Sequence, residues 1–298
     1  MLSNIYFLIN FAISIFLSMM ILCVVILMLY TVIKHRYLHT LNNLMLSNTN
    51  VGILCYCLVN VISCVLGLNE SWSQSVGGCS IRGYLLNVCF SSIGYSKSVH
   101  SMSRLFFCVF NSHRYLLTVR MHCLLITLSW LISFVICLVP FLFVNGYRYE
   151  DESRFCVLST KQPGLAYYML VVGGLVPFII FIQNSLIIYF KVRQSTRRIW
   201  AITANRNVNQ VQSQQKRKRE IKIMRQMLIQ LLSLTPGIPI LMFLVLWHWQ
   251  RPEQSPPNEL YLFNVNAVTL SIVCITLTQL ITNDKIQRQI FRSNSIRI

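Results

Sequence analysis

The charged and reactive side chains of most interest lie on one stretch, from Cys79 to Arg104. Cys79 follows a Gly-Gly pair and is placed where an oxidising compartment would reach its thiol, so disulfide formation is the chemistry open to it. Arg104 carries a guanidinium that pairs with carboxylates. Lys97 lies inside the same stretch. The 25 steps from Cys79 to Arg104, at ~1.5 Å each, span roughly 37 Å, enough for a helix to cross the ~30 Å hydrocarbon core of a bilayer.

No cluster of residues in the sequence predicts catalysis or metal binding. The six histidines form no metal-protease pattern, since His35 and His39 are four residues apart but have no neighbouring acid. The sequence has no glycine-rich phosphate loop and no paired carboxylates within its apolar segments. Catalysis requires several converging polar groups, so we expect a protein that is not an enzyme and that binds no metal and no cofactor.

The composition indicates a membrane protein with several spans. The 298 residues are 55% hydrophobic and 11% charged, with a mean hydropathy of +0.57, whereas soluble domains have about 25% charged residues. We predict an all-α membrane protein in which residues 1–298 form one bundle of seven transmembrane helices, with a short cytoplasmic tail at 284–298. The predicted spans are about 5–33, 41–66, 79–110, 122–145, 165–190, 221–247 and 260–282.

The net charge of +18 is distributed unevenly along the chain. Of 26 lysines and arginines, 20 fall on one predicted side, 11 of them within residues 191–225, while six of the eight acids fall on the other side. This is the positive-inside pattern, and it predicts a multi-pass membrane protein with its N-terminus outside and its C-terminus in the cytoplasm. We expect the membrane to be the plasma membrane. The basic run at 216–219 therefore favours contact with anionic lipid or a protein partner, and nucleic acid is not expected as a partner.

The cysteines and one asparagine add two predictions about the extracellular side. Nine of the eleven cysteines lie within or at the edges of apolar spans, where free thiols behave as small apolar side chains. Only Cys79 and Cys156 are placed where an oxidising compartment reaches them. Asn69 begins Asn-Glu-Ser, the only glycosylation sequon, in the first outer loop, so we predict a glycan there, with an unmodified asparagine as the alternative.

The second span is unusually polar. Asn43, Ser47, Asn50 and Cys57 share one helical face because they are spaced by four, three and seven residues. Amides in lipid must find hydrogen-bond partners, so this stripe is expected to face the bundle. Interhelical packing without a signalling role and a functional polar site are both open readings of the stripe.

Prolines within the spans predict helix kinks, because proline lacks an N–H donor and clashes with the preceding turn. Pro140, Pro177 and Pro239 lie in the fourth, fifth and sixth spans, and Gly173-Gly174 together with Pro177 predicts a break in the fifth. After the last span, basic and apolar residues alternate over 284–292. That pattern is typical of a short amphipathic helix on the inner leaflet.

Taken in order, these features resemble the rhodopsin-like (class A) G-protein-coupled receptor family over nearly the whole chain. The resemblance implies a seven-helix bundle with an extracellular ligand and a heterotrimeric G protein on the cytoplasmic face. It also implies a disulfide between Cys79 and Cys156. The marks that carry the resemblance are Cys79, Cys156, Arg104, Trp130, Pro140, Pro177, Pro239 and Phe291-Arg292.

The resemblance assigns roles to residues at the cytoplasmic ends of two helices. Arg104 corresponds to the arginine that holds the inactive state and then contacts the G protein. Where the family usually has an acid just before this arginine, the chain has Ser103, and where it has an aromatic residue just after, the chain has Leu105. Glu220, nineteen residues before Pro239, lies where the family often has an acid at the base of the sixth helix. An Arg104–Glu220 contact in the resting state is therefore predicted.

Other positions depart further from the family. Where the family has an acid on the second helix, this chain has Asn50. Its seventh helix also lacks the family's Asn-Pro-X-X-Tyr motif. Lys97 adds a cation at this level of the bundle, and an intramembrane charge is by default a functional hypothesis. With Asn50 neutral, we hypothesise that the Lys97 ammonium replaces the sodium ion that many family members hold. A lysine that snorkels to the inner surface is the alternative.

The charged residues that the predicted spans lack restrict the classes of ligand that the protein could bind. No aspartate or glutamate lies in any span, so nothing resembles the carboxylate that pairs with biogenic amines, and no lysine in the seventh span could form a retinal Schiff base. An apolar, aromatic pocket under the acidic loop Glu150-Asp151-Glu152 would suit a neuropeptide with basic residues or a neutral small molecule. We predict a receptor that binds an extracellular ligand, preferably a peptide, and activates a G protein.

Two alternatives to this function are open. A chemosensory receptor would have the same architecture and would differ in where it is expressed. A transporter or channel would require internal repeats, discontinuous helices or a path of ionisable residues, and only Lys97 fits that requirement.

Overall fold

The computed structural model describes residues 2–68, 76–110, 113–143, 146–150, 153–158, 162–203, 229, 237–250, 258–283 and 286–290, and most of these are helical. The fifth helix, α5, has three consecutive parts, which are Pro163–Tyr168, the π-helical segment Met169–Leu175 and Val176–Thr203. The other long helices are α1 (Leu2–Lys34), α2 (Leu41–Gly67), α3 (Val76–Cys108), α4 (Val119–Leu142), α6 (Gly237–Gln250) and α7 (Asn258–Thr282).

Helix α3 lies at the centre of the bundle, where it packs against α2, α4 and α5. Five helices in the described part of the chain are long and apolar enough to cross a membrane, and α3 has the length but a more polar composition. Its environment accounts for the difference, because a helix surrounded by protein needs small and hydrogen-bonding residues rather than lipid-facing ones. The buried serines of α3 are Ser91, Ser92, Ser96, Ser98, Ser101 and Ser103.

The expected break in the fifth span is wrong, because α5 continues through it as a π-helical turn. Val176 N donates to Val171 O, and Pro177 has no N–H, so the carbonyl of Val172 has no backbone donor within the helix. The Tyr95 hydroxyl of α3 donates to Val172 O at 2.7 Å, and Ser98 Oγ donates to Pro177 O at 2.6 Å. The turn is therefore stabilised by α3 rather than by α5 itself.

Two glycines allow this close contact between α3 and α5. A Cβ on Gly94 would lie 3.4 Å from the Pro177 ring, and a Cβ on Gly173 would lie 3.0 Å from Ser91 Oγ. A methyl group at Gly94 would therefore be in van der Waals contact with the proline ring, and one at Gly173 would require Ser91 Oγ to shift by a few tenths of an ångström.

The second outer loop contains a β-hairpin that the sequence analysis did not predict. Strands β1 (Tyr147–Glu150) and β2 (Phe155–Leu158) pair antiparallel and pack on α3, with Tyr149 opposite Cys156. Arg154 in the turn has a φ of 54° and stacks its guanidinium 4.3 Å from the Phe7 ring of α1. Burial raises the pKa of Tyr147, whose hydroxyl donates to Cys137 O of α4.

The predicted amphipathic helix after α7 is present in the described residues. Residues 286–290 are helical, with Ile286 fully buried and Arg288 exposed. Asn283 accepts the Ile286 N–H and donates to Asn43 Oδ1 of α2 at 3.0 Å. Asn43 Nδ2 in turn donates to Leu38 O at 2.7 Å. This chain of hydrogen bonds joins α2, α7, the last helix and the connection between α1 and α2.

Helix boundaries follow local capping more closely than hydrophobicity. The fourth span was predicted at 122–145, and α4 begins and ends three residues earlier, at Val119 and Leu142. Thr118 caps its start by accepting the Met121 N–H, and the helix ends two residues after Pro140. Of the predicted sixth span, 221–247, a continuous helix is described from Gly237, so Pro239 is its third residue.

Candidate functional site

An outer cavity of about 190 Å³ lies among α2, α3, α5, α6, α7 and the hairpin. Its described lining is mostly apolar and aromatic and carries no charged side chain, which agrees with the pocket expected from the sequence. Its polar groups come from three helices and the hairpin turn. They are Tyr56, Asn60, Asn87, Ser91, Ser153, Tyr261 and Asn264.

Two asparagines that line the outer cavity, Asn60 and Asn264, have buried acceptor atoms. Asn60 Nδ2 donates to Ser14 and Ser18 of α1, each at 3.0 Å, which orients the amide. Asn60 Oδ1 and Asn264 Oδ1 are buried, and neither has a hydrogen-bond partner among the described residues. Because a buried acceptor without a donor is costly, these oxygens favour a ligand that supplies N–H or O–H groups.

A disulfide joins Cys79 to Cys156 and fixes the hairpin over the outer cavity. The two cysteines are 77 residues apart in sequence, and their Cα atoms are 5.2 Å apart. Strand β2 then contributes Val157 and Leu158 to the cavity wall. Of the acidic loop predicted to lie over the pocket, Glu150 is buried in the hairpin and does not line the cavity. The other two acids of that loop, at 151–152, lie outside the described residues.

A second cavity of about 70 Å³, here called the inner cavity, lies between α3, α5 and α7. It shares Phe90, Leu170 and Val268 with the outer cavity, so the two are adjacent. Lys97 lines the inner cavity, is only 2% exposed, and its Nζ has no hydrogen-bond partner among the described residues. The snorkelling alternative is therefore not what the structure contains.

Asn50 is buried in α2 but does not line the inner cavity. Its Oδ1 and the Lys97 Nζ both lack hydrogen-bond partners among the described residues, so the two atoms do not bond to each other. The hypothesis that Lys97 takes the place of a sodium ion stays a prediction.

The polar residues that connect α2 to α3 and α4 lie beside the stripe predicted from the sequence. Asn48 Nδ2 donates to Ser96 Oγ of α3 at 2.6 Å, and Asn48 Oδ1 accepts from Trp130 Nε1 of α4 at 2.8 Å. Thr49 Oγ1 lies 2.9 Å from the same serine oxygen. Three helices thus meet at Asn48, which gives Trp130 a defined packing role.

The predicted switch residues lie at the other end of α3. Ser103 is buried and its Oγ is 2.9 Å from His122 Nε2 of α4, a partner that the sequence analysis missed. Arg104 is partly buried, and its Nη1 has no hydrogen-bond partner among the described residues. Leu105 is buried beside Ile188 of α5. The predicted Arg104–Glu220 contact stays a prediction, since residue 220 lies outside the described residues.

Comparisons with known proteins identify the family. The family model "7 transmembrane receptor (rhodopsin family)" matches residues 24–276, which is most of the chain. The chain belongs to this family. Its fold is similar to the crystal structure of squid rhodopsin, with a TM-score of 0.78 and 13% sequence identity, covering 98% of this chain and 86% of that one. No curated protein sequence matches the chain.

Membership makes this rhodopsin-family receptor a multi-pass membrane protein of the G-protein-coupled class, with the seven-helix fold predicted from its sequence. Several predicted marks lie outside the described residues, among them the Asn69 sequon and Phe291-Arg292. The three proline positions lie within described helices. The kinks assigned to them stay predictions, except that Pro177 adjoins the π-helical turn.

Proposed function

We propose that this receptor binds an extracellular peptide with one end inserted in the outer cavity, and that binding activates a heterotrimeric G protein at the cytoplasmic ends of its helices. The observation that carries the proposal is the outer cavity itself. It has a mostly apolar wall, a hairpin cover held by the Cys79–Cys156 disulfide, and two lining asparagines, Asn60 and Asn264, whose buried side-chain oxygens have no hydrogen-bond partner among the described residues.

The size of the cavity supports a ligand that is only partly enclosed. About 190 Å³ is smaller than the ~300–1,000 Å³ typical of pockets that hold a whole small ligand. A cavity of that size accommodates one or two side chains. A peptide also supplies backbone N–H groups for the two asparagine acceptors, and basic residues on the part that remains outside would face the acidic second loop.

The cytoplasmic half of the proposal rests on Arg104 and the basic segment 191–225. In the resting state, Arg104 pairs with Glu220, and agonist binding favours a packing in which the sixth helix swings outward. Pro239 is the proposed hinge for this movement. Such a change is a shift between two populated arrangements of the same bundle. The movement exposes the guanidinium of Arg104, which then forms the G-protein contact together with the basic segment.

The proposed orientation places the N-terminus, the hairpin and the outer cavity on the extracellular side of the plasma membrane. The support is the charge distribution, with 20 of the 26 basic residues on the opposite side. Glycosylation of Asn69 in the first outer loop belongs to the same proposal.

A peptide library screened on membranes that contain the receptor and a panel of G proteins tests the ligand half of the proposal. Nucleotide exchange is the readout. For an active peptide, Asn264→Ala should lower potency about 5–10-fold, the effect of one lost hydrogen bond of ~1 kcal/mol. Phe263→Ala on the same helix is the control, because Phe263 is 58% exposed on the outside of the bundle. Equal effects of the two substitutions would contradict a ligand seated in the outer cavity.

A further inference from the structure

The ammonium of Lys97 has no hydrogen-bond partner among the described residues, and no acidic residue lies in the described lining of the inner cavity. Each of the eight acidic residues lies outside the predicted spans, and Glu259 in the first turn of α7 precedes the first α7 residue of the inner cavity, Val268, by nine positions. Burying an unpaired charge in an apolar interior is expensive, so a buried amine either gives up its proton or keeps it beside a partner of opposite charge. The acidic residues are Glu70, Glu150, Asp151, Glu152, Glu220, Glu253, Glu259 and Asp284.

The inner cavity beside Lys97 has room for such a partner. Its volume of about 70 Å³ corresponds to roughly two water molecules at ~30 Å³ each. Ser271 of α7 is the one hydroxyl in its described lining, and that hydroxyl donates to Ala267 O at 2.9 Å. Lys97 is therefore the one cationic group in the described lining, and a single negative charge balances it.

We propose that the inner cavity is a binding site for one monovalent anion, held by the Lys97 ammonium. The anion is either chloride from solution or the carboxylate of an apolar ligand that extends down from the outer cavity. The shared lining residues Phe90, Leu170 and Val268 place the two cavities in contact, so the second source requires no new path through the bundle. An anion at this point lies between α3, α5 and α7 and stabilises their packing.

Thermal unfolding of the purified full-length receptor in lipid nanodiscs tests the proposal. One series replaces sodium gluconate with sodium chloride or bromide at constant ionic strength. A second adds straight-chain monocarboxylates of increasing length, each compared with the alcohol of the same length. An anion that binds only the folded receptor raises the unfolding temperature in a saturable way. In the wild type we expect such a rise in at least one series.

Three variants connect the effect to Lys97. Lys97→Met should abolish the anion-dependent rise and should unfold in gluconate at or above the wild-type temperature, because the unpaired buried charge is gone. Lys97→Arg keeps the cation and should keep part of the rise. Lys191→Met is the matched control, since Lys191 is exposed near the cytoplasmic end of α5 and its loss should leave the rise unchanged.

The two series distinguish the sources of the anion. A rise with halides alone assigns the site to an inorganic anion. A rise that grows with carboxylate chain length, and that the alcohols do not produce, assigns it to a ligand carboxylate. The proposal is overturned if neither series stabilises the wild type, or if Lys97→Met responds as the wild type does. Because no G protein is present, this result is independent of the proposed coupling function.

Discussion

Replacing Tyr95 with phenylalanine removes one hydroxyl, and with it the hydrogen bond that Val172 O accepts across the α3–α5 contact. The carbonyl has no second donor within its helix, because Val176 N bonds to Val171 O and Pro177 has no N–H. The ring volume is retained, so the expected loss is that of one buried acceptor left unsatisfied, about 1–3 kcal/mol of unfolding free energy.

Thermal unfolding in detergent, followed with a thiol-reactive dye, measures this loss. Four free cysteines are buried and become reactive on unfolding, namely Cys57, Cys64, Cys89 and Cys137. Tyr115→Phe is the control, because Tyr115 is 66% exposed and its hydroxyl is available to solvent. We expect Tyr95→Phe to lower the unfolding temperature while the control leaves it within error of the wild type.

A second substitution tests the reason for the loss. Pro177→Ala restores an N–H that can bond to Val172 O across the π-helical turn, so Tyr95→Phe should cost at least ~1 kcal/mol less in that background. A double-mutant cycle measures this coupling directly. Equal costs of Tyr95→Phe in the two backgrounds would refute the argument that the proline creates the orphan carbonyl.

Three further predictions concern the outer loop and the α2–α4 contact. Cys79→Ser, Cys156→Ser and the double substitution should each lower the free energy of unfolding by the same amount, about 2–5 kcal/mol for a cross-link that closes a 77-residue loop; unequal losses in denaturation curves would contradict a shared bond. Trp130→Phe should cost about 1–3 kcal/mol because Asn48 Oδ1 loses its donor, and the cost should shrink in an Asn48→Ala background. Asn69→Gln should increase the electrophoretic mobility of the receptor expressed in animal cells as much as enzymatic deglycosylation does; unchanged mobility would show that Asn69 carries no glycan.

Chain length and hydropathy predicted long apolar helices, and five helices in the described part of the chain are long and apolar enough to cross a membrane. The orientation inferred from the charge distribution stays a prediction. Partners across the bundle were harder to predict. The spacing of Asn43 and Asn50 indicated a buried face of α2, and both are buried. Periodicity does not say which helix lies opposite a given residue, so the contacts of Asn48 with Ser96 and Trp130 came only from the structure.

The π-helical turn and the hairpin show two other limits. Gly173 and Pro177 predicted a break in the helix because sequence rules consider each helix alone. In the structure, hydroxyls of α3 donate to the carbonyls of Val172 and Pro177. The hairpin had a signal that was not used, the alternation of aromatic and charged residues from Tyr147 to Glu150. The Ser103–His122 contact depends on the axial position of α4, which a hydropathy boundary misplaced by three residues.

Basal nucleotide exchange tests most directly the claim that this rhodopsin-family chain signals through a G protein. The assay compares membranes with the wild type, Arg104→Ala and Glu220→Ala at equal surface expression, across a panel of G proteins. We predict exchange above background with one G-protein class, loss of that signal in Arg104→Ala, and a higher signal in Glu220→Ala because the resting contact is released. An unchanged rate in Arg104→Ala would contradict the proposed role of this arginine, and exchange at background level in all three, with and without active peptides, would contradict coupling itself.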